Sequence, residues 1–324
     1  MISKSHAAVR RWLDASLPGQ YLVHGYHRLR ALALSRVSDE RFAQRLYRRS
    51  QGKSLDLDSP RTFDERQWWL KLHYRDPLMV QCTDKLAVRR YVEEKGLGHL
   101  LIPLLGSYST PQEVNWTSLP AKFYIKTNNS SATNLRCDDR DTFDTRRASR
   151  LLKLYLKRKH YPLSREWNYR EIAPRLLVEP VIDSGEGGLV DYRFLCSYGV
   201  CRGIFVDVDT ASESGGHRAD AKRNVYDRDW NLLPVQVTRP LIDDRFIERP
   251  AELDEMIRYA EILSESFPFC RVDFYNPEPG RVLFGEITFY HAGGNNRITP
   301  EVWQHTLGGW IDFERAKSGT RIGA

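Results

Sequence analysis

Arg271, Asp273, Glu286 and Thr288 are the residues of this chain whose types and spacing best suit chemistry. They fall in two runs, Arg271–Asn276 and Arg281–Phe289, joined by Pro277-Glu278-Pro279-Gly280. Both runs are rich in Val, Ile and Phe, and together with the Pro/Gly turn they predict a β-hairpin. If Asn276 pairs with Arg281, Arg271 stands opposite Glu286. Side chains alternate along a strand, so Arg271, Asp273, Glu286 and Thr288 share one face. Val272, Phe274, Leu283, Ile287 and Phe289 take the other face, which suits a core. Two carboxylates in diagonal reach repel each other and call for a cation. Mg²⁺ uses one or two carboxylates and shares its remaining positions with substrate phosphates. That chemistry points to a nucleotide. The competing reading is a solvated sheet face with an Arg–Glu pair, because antiparallel sheets often wet one side. The hairpin alone leaves both readings open.

Several elements must position these residues. Thr62-Phe63-Asp64-Glu65 is a capping box ahead of Trp68, Trp69, Leu70 and Leu72, and starts a helix. Asp84–Val92 has the pattern of a second amphipathic helix, carrying Lys85. Leu100–Leu105 is a short apolar run that predicts a strand. Lys122–Thr127 predicts a strand leading into the polar loop Asn128–Asn134. Residues 144–160 form a basic helix with Ala148, Leu151, Leu152 and Tyr155 on one face. Pro180 makes Leu176–Ile182 an edge strand or a strand end. Residues 189–209 predict a hairpin turning at Tyr198-Gly199, and residues 210–225 a polar, mobile loop. Pro250 opens a helix with Leu253, Met256, Ile257, Ala260 and Leu263 on one side.

The 324 residues are enough for two or three subdomains around large cores. No apolar run is long enough to span a bilayer, and no signal core opens the chain. The five cysteines contain no CxxC pair, which reads as reduced core thiols in a cytoplasmic protein. Cys196 and Cys201 flank the Ser197–Val200 turn and are expected to face each other. The net charge of +7 is concentrated: residues 1–50 hold ten Lys/Arg against three acids. With Trp12, Leu13, Leu17, Tyr21 and Tyr26 interleaved, this arm suits either a solvated helical extension or an anionic membrane surface. Nucleic acid is not expected, since no nucleic-acid motif accompanies the charge.

The order of the motifs resembles the TupA-like ATP-grasp family found in polysaccharide gene clusters. The resemblance rests on Pro60-Arg61-Thr62-Phe63-Asp64-Glu65, Asp84-Lys85-Leu86-Ala87-Val88-Arg89 and Phe123-Tyr124-Ile125-Lys126-Thr127-Asn128. It continues through Asp191-Tyr192-Arg193-Phe194, Phe269-Cys270-Arg271-Val272-Asp273-Phe274-Tyr275 and Gly285-Glu286-Ile287-Thr288-Phe289. It covers about residues 40–300. It implies an α+β ATP-grasp fold, two α+β lobes with antiparallel sheets clamping a nucleotide, preceded by a helical N-terminal region. The expected divisions are a basic helical extension over 1–50, a helical region over 51–120, a small lobe over 121–180, a large lobe over 181–312 and a tail over 313–324.

The resemblance also assigns roles. ATP and Mg²⁺ are the implied cofactors, with Asp273 and Glu286 as metal ligands. Lys126 and Lys85 would meet phosphates, and Ser130 and Ser131 would line the phosphate loop. Glu179 and Val181 would form the hinge that reads adenine. Asp191 would lie near ribose or phosphate. Arg271 would stabilise the transferring group, and Arg223 would close over the γ-phosphate or acyl group. The implied activity is ATP-dependent joining of a carboxylate to an amine through an acyl phosphate. The implied partners are a polysaccharide or lipid-linked sugar precursor and an amine or amino acid, and the implied location is cytoplasmic, peripheral at the inner face of the membrane. Two departures stand out. The loop Asn129-Ser130-Ser131-Ala132-Thr133 has no glycine where the family usually carries several. Hydroxyls, or left-handed Asn128 and Asn129, would then replace glycine's open backbone. Thr288 stands where many ATP-grasp enzymes carry Asn. Rival readings are a glycosyltransferase using Asp207-Val208-Asp209 as a metal site, a sugar kinase, and a binding protein that has lost turnover.

Overall fold

A computed structural model describes residues 16–130, 133–183, 188–210, 218, 220–242 and 247–319. The chain opens with helices α1 (Leu17–Leu34) and α2 (Asp39–Gln51). Helix α3 (Phe63–His73) follows, and its capping box is complete: Thr62 Oγ1 accepts from the Glu65 amide, and Glu65 accepts from the Thr62 amide at 3.0 Å. Next come α4 (Pro77–Thr83) and α5 (Ala87–Glu94).

The small sheet is built from β1 (Gly106–Tyr108), β2 (Phe123–Thr127), β3 (Asn134–Cys137) and β4 (Leu176–Pro180), in the order β1-β4-β2-β3. All its pairs are antiparallel. Helix α6 (Thr145–Leu156) covers one face, packing Leu151, Leu152 and Tyr155 with Phe123, Ile125, Leu176 and Val178. Lys126 and Glu179 lie on the opposite face. Helix α7 (Tyr161–Ser164) follows α6.

The large sheet contains β5 (Asp191–Ser197), β6 (Val200–Val208), β7 (Lys222–Tyr226), β9 (Cys270–Glu278) and β10 (Arg281–Thr288), ordered β10-β9-β5-β6-β7. A small pair joins β8 (Gln236–Val237) to β11 (Ile298–Thr299). Helix α8 (Leu253–Ser264) buries Met256, Ile257, Ala260 and Leu263 against the apolar face, where Phe194, Val272 and Phe274 lie. Helices α9 (Val302–Gly309) and α10 (Phe313–Ser318) close the described chain. None of the described helices is long and apolar enough to cross a membrane.

The structure departs from the sequence expectations at four places. The first strand is Gly106–Tyr108, not Leu100–Leu105. Pro103 has no amide to donate, so that run becomes a connector. It bridges the large sheet at Leu101–Phe284 and the small one through the Leu105 amide on Val178 O at 2.8 Å. Secondly, β4 is internal and not an edge, and the other expectation for Pro180 holds: it ends the strand. Thirdly, the stretch 210–225 is partly strand, since β7 begins at Lys222; residues 211–217 and 219 lie outside the described residues. Finally, the hairpin register differs. Glu286 pairs with Asp273 and Thr288 with Arg271, with a bulge between Phe284 and Glu286. The extra residue is Gly285, whose added Cβ would stand 3.1 Å from Asp273 O. The bulge also moves Leu283 to the face of Tyr275 and sets Phe284 against Phe274.

The β5–β6 hairpin turns at Tyr198-Gly199 with both φ positive, and Cys196 pairs with Cys201 as expected. All five cysteines are free and buried.

Helix α9 approaches the start of α3 through Gly308. A Cβ there would lie 2.5 Å from Arg61 O and 3.0 Å from the Phe63 amide nitrogen, both backbone atoms. Gly308→Ala is expected to cost about 1–3 kcal/mol of stability, as overpacking does. Gly309→Ala, with nothing within 4 Å, is the control and should unfold close to the parent. Denaturant midpoints check this; equal shifts for the two variants would refute it.

Candidate active site

The face of the large sheet opposite α8 is charged. Strand alternation places Asp191 and Arg193 of β5, Asp207 of β6, Arg223 of β7, Arg271 and Asp273 of β9, and Glu286 and Thr288 of β10 on it. Apolar neighbours on the other face bury the backbone, so these groups sit on a rigid floor.

Arg271 is the hub. Its Nε and Nη2 donate to the two Asp273 carboxylate oxygens, each at 2.6 Å. The same Nη2 reaches Glu286 at 3.2 Å and Thr288 Oγ1 at 3.1 Å. Asp273 is buried, whereas the Glu286 side chain is 42% exposed. Lys85 Nζ lies 3.5 Å from the other Glu286 oxygen. Burial alone would raise the Glu286 carboxyl, but Lys85 and Arg271 outweigh it and hold it at about 2. Burial pushes the Asp273 carboxyl up, and Arg271 and Arg193 pull against it.

A second knot surrounds Asp207, which is fully buried. Arg223 grips it with Nε at 2.5 Å and Nη2 at 2.6 Å, a bidentate pair. Arg193 Nε and Arg239 Nη1 each lie 2.9 Å from the same Oδ2. Arg193 also stands 3.8 Å from Asp273 and 3.4 Å from Asp191, linking the two knots. His291 joins them again: its Nε2 is 2.9 Å from Arg223 and its Nδ1 2.7 Å from Arg271. Burial and then the flanking arginines push this imidazole well below its usual pKa, so it stands neutral between two guanidiniums.

His291 is carried by a turn in which Ala292, Gly293 and Gly294 all have positive φ. Buried Lys71 fastens that turn, donating to Gly293 O at 2.6 Å while its Nζ lies 3.8 Å from the centre of the Trp68 ring. Burial lowers the Lys71 amine to about 8.

The small sheet supplies the opposing wall. Lys126 Nζ pairs with Glu179 at 2.6 Å, and Arg89 approaches Glu179 at 4.0 Å. Asn128 follows β2 and stitches this wall to the start of α5. Its Nδ2 donates to Asp84 at 2.9 Å and to Ala173 O at 3.0 Å, and its Oδ1 accepts from the Arg175 amide at 2.7 Å. Asp84 in turn accepts from the Leu86 amide at 2.8 Å. Lys85 therefore lies in the turn before α5, which begins at Ala87, and not on the helix.

A family model described as TupA-like ATPgrasp matches residues 65–312, most of the chain. This chain belongs to the TupA-like ATP-grasp family. The matched region begins inside α3, later than the expected start near residue 40. Among solved structures, the chain is similar to the D-alanine–D-alanine ligase from Helicobacter pylori. That pair shares 12% identity over 82% of this chain and 69% of that one, with a TM-score of 0.43. The D-alanine–D-alanine ligase from Bacillus anthracis gives 15% identity over 79% and 69%, with a TM-score of 0.40. The L-amino acid ligase from Bacillus licheniformis gives 16% over 66% and 44%, at 0.43. The family match, rather than these overlays, carries the assignment. No curated protein matches the chain.

Within this ATP-grasp chain, Arg271, Asp273, Glu286, Thr288 and Lys85 are brought into one cluster. Asp191 is buried beside Arg193 and accepts from Thr210 Oγ1 at 2.6 Å. Arg223 is buried on Asp207, with its guanidinium 4.6 Å from the centre of the Phe205 ring. Val181 lies just beyond β4, in the connection leaving the small sheet. Ser130 is buried, and Ser131 lies outside the described residues. Neither Asn128 nor Asn129 is left-handed, contrary to expectation. Asn128 shapes the loop through its side-chain bonds instead. In the Asp207-Val208-Asp209 stretch, Asp207 is fully buried and already serves three arginines.

Sequence reasoning missed Arg239, His291, Lys71 and the bracing role of Asp84–Asn128. Gly293-Gly294 after the Glu286 strand was the available signal for a special turn.

Asp273 and Glu286 fit Mg²⁺. They are hard oxygen donors paired directly across two strands. Each carboxylate oxygen has two acceptor sites, so Asp273 can bind a cation while held by Arg271. Among the described residues no cluster of three or more His, Cys, Asp or Glu side chains could enclose a metal. The remaining positions would fall to phosphate and water, which is how Mg²⁺ is usually bound.

Proposed function

We propose that this protein is an ATP-dependent carboxylate–amine ligase working through an acyl phosphate. The observation that carries this reading is the Arg271–Asp273–Glu286–Thr288 cluster with Lys85 beside it. It joins two carboxylates suited to Mg²⁺ and Arg271 on one sheet face, with Lys85 reaching Glu286 from the turn before α5.

ATP would lie between the sheets, its adenine near Glu179–Val181 and its phosphates toward Lys126 and Lys85. Mg²⁺ held by Asp273 and Glu286 would neutralise charge on the β- and γ-phosphates. A substrate carboxylate oxygen attacks the γ-phosphorus, the bond to the bridging oxygen breaks, and ADP leaves. Arg271 would stabilise the transferring group. The amine then attacks the acyl carbon, phosphate leaves with the bonding pair, and the amine proton passes to phosphate or solvent. Asp207 grips Arg223 and Asp273 grips Arg271 for both steps, with His291 packed between the two arginines. The acid is a uronic acid or amino acid of a surface polysaccharide or its precursor. The support for that last point is the family alone.

A second reading, nucleotide binding without turnover, is favoured by one observation: the phosphate loop has no glycine, and its asparagines do not replace one. The two readings separate in one assay. Candidate acids and amines are supplied with Mg-ATP, and ADP is measured. The ligase reading expects ADP and phosphate only when acid and amine are both present. Lys126→Ala is expected to weaken Mg-ATP binding by about tenfold or more, since charge-assisted phosphate contacts are the strong ones. Thermal shift at millimolar nucleotide reads this directly. Binding that is unaffected by Lys126→Ala would remove this lysine from the phosphate site.

A further inference from the structure

A cavity of about 700 Å³ lies between α1 and the segment joining α6 to α7, away from the large sheet. It touches the phosphate loop only at Ser130. Arg28 comes from α1; Lys157, Arg158 and Lys159 come from the other wall. Among the described residues that line it there is no carboxylate. Arg28, Lys157 and Lys159 are exposed and Arg158 is partly buried, and four cations around one space make a positive potential that favours an anion.

The site has fixed parts. The Arg158 guanidinium rests 4.8 Å from the centre of the Tyr155 ring. His24 and His27 line the cavity, and the buried Nδ1 of each has no hydrogen-bond partner among the described residues. Burial, then Arg158, pushes both imidazoles below their usual pKa. Ala31, Leu32, Pro162 and Leu163 give an apolar stretch of wall, beside the polar Ser35, Ser130 and His160. The volume falls within the usual range for small-molecule sites. Guanidinium forks match phosphate oxygens, and the apolar wall suits a hydrocarbon.

We propose that this cavity binds an amphiphile with a phosphate or diphosphate head and an apolar chain. The inference stands on the cavity alone and does not depend on the ligase reading.

The test titrates the full chain with farnesyl diphosphate, inorganic pyrophosphate and farnesol. Farnesyl diphosphate should bind at least about tenfold more tightly than either of the others, because burying several CH₂ groups and pairing the head both contribute. Arg28→Glu/Lys159→Glu, both at exposed positions, should weaken it by about tenfold or more. Lys157→Glu is an independent second variant with the same expectation. Lys126→Ala, in the nucleotide cleft, should bind it as the parent does. Thermal unfolding confirms that each variant is folded. Equal binding of pyrophosphate and farnesyl diphosphate would overturn the proposal. So would binding lost in Lys126→Ala but kept in the cavity variants. No binding of farnesyl diphosphate, with retention on phosphatidylglycerol vesicles, would overturn it in favour of a membrane-facing surface.

Discussion

Glu286→Gln is expected to lower ADP formation by about a thousandfold while leaving the protein folded. Glutamine keeps the shape, and its oxygen can still accept from Arg271 and Thr288. It removes the negative charge that would hold Mg²⁺ and that now faces Lys85 at 3.5 Å. The side chain is 42% exposed, so solvent screens much of what is lost in stability. Asp273→Asn should lower turnover as far but also destabilise. Asp273 is buried between Arg271 and Arg193, and removing one partner of a buried ion pair costs about 3–5 kcal/mol. The two variants therefore separate catalysis from folding at one site. Parent-like ADP release from Glu286→Gln, with substrates saturating, would sink the metal assignment.

A stability effect as large is expected at Asp207. One buried carboxylate is shared by Arg193, Arg223 and Arg239. Asp207→Asn would leave three guanidiniums crowded together with a single neutral amide. A loss of about 3–5 kcal/mol is expected. The effect should also depend on pH. Burial alone would raise the Asp207 carboxyl, but Arg223, Arg193 and Arg239 overcome it and hold it well below the usual carboxylate range. A depressed carboxyl stabilises the fold above its unfolded pKa of about 4, and that stability is lost as pH falls toward the folded value. The gap in unfolding temperature between parent and Asp207→Asn should therefore be full at pH 7 and narrow below about pH 4. A gap of the same size at pH 3 and pH 7 would contradict this origin.

Such knots explain how much of the site could be read in advance. Alternation alone put Arg271, Asp273, Glu286 and Thr288 on one face, because a strand offers only two sides. The motif order singled out Lys85, which reaches Glu286, and Lys126, which pairs with Glu179 on the small sheet. Local rules also set the capping box at Thr62, the Tyr198-Gly199 turn and the apolar side of α8, since each is decided within a few residues.

What the chain could not disclose locally was decided by contacts between distant segments. The register lies two residues from the expected one, with irregularities between Arg281 and Leu283 and at Gly285, so Glu286 faces Asp273 instead of Arg271. The difference begins at the turn, where Arg281 pairs with Glu278 rather than Asn276, and it is kept where β9 pairs with β5 and packs on α8. Arg223 looked free to cover a phosphate, yet packing carries it onto Asp207 and His291. Lys85 reaches Glu286 only because Asn128 ties the start of α5 to β2. Residue types and alternation determined which groups could do chemistry and which face would hold them. Which carboxylate each cation serves was left to the tertiary structure, because a buried charge is paired by whatever opposite charge the folded backbone brings within reach.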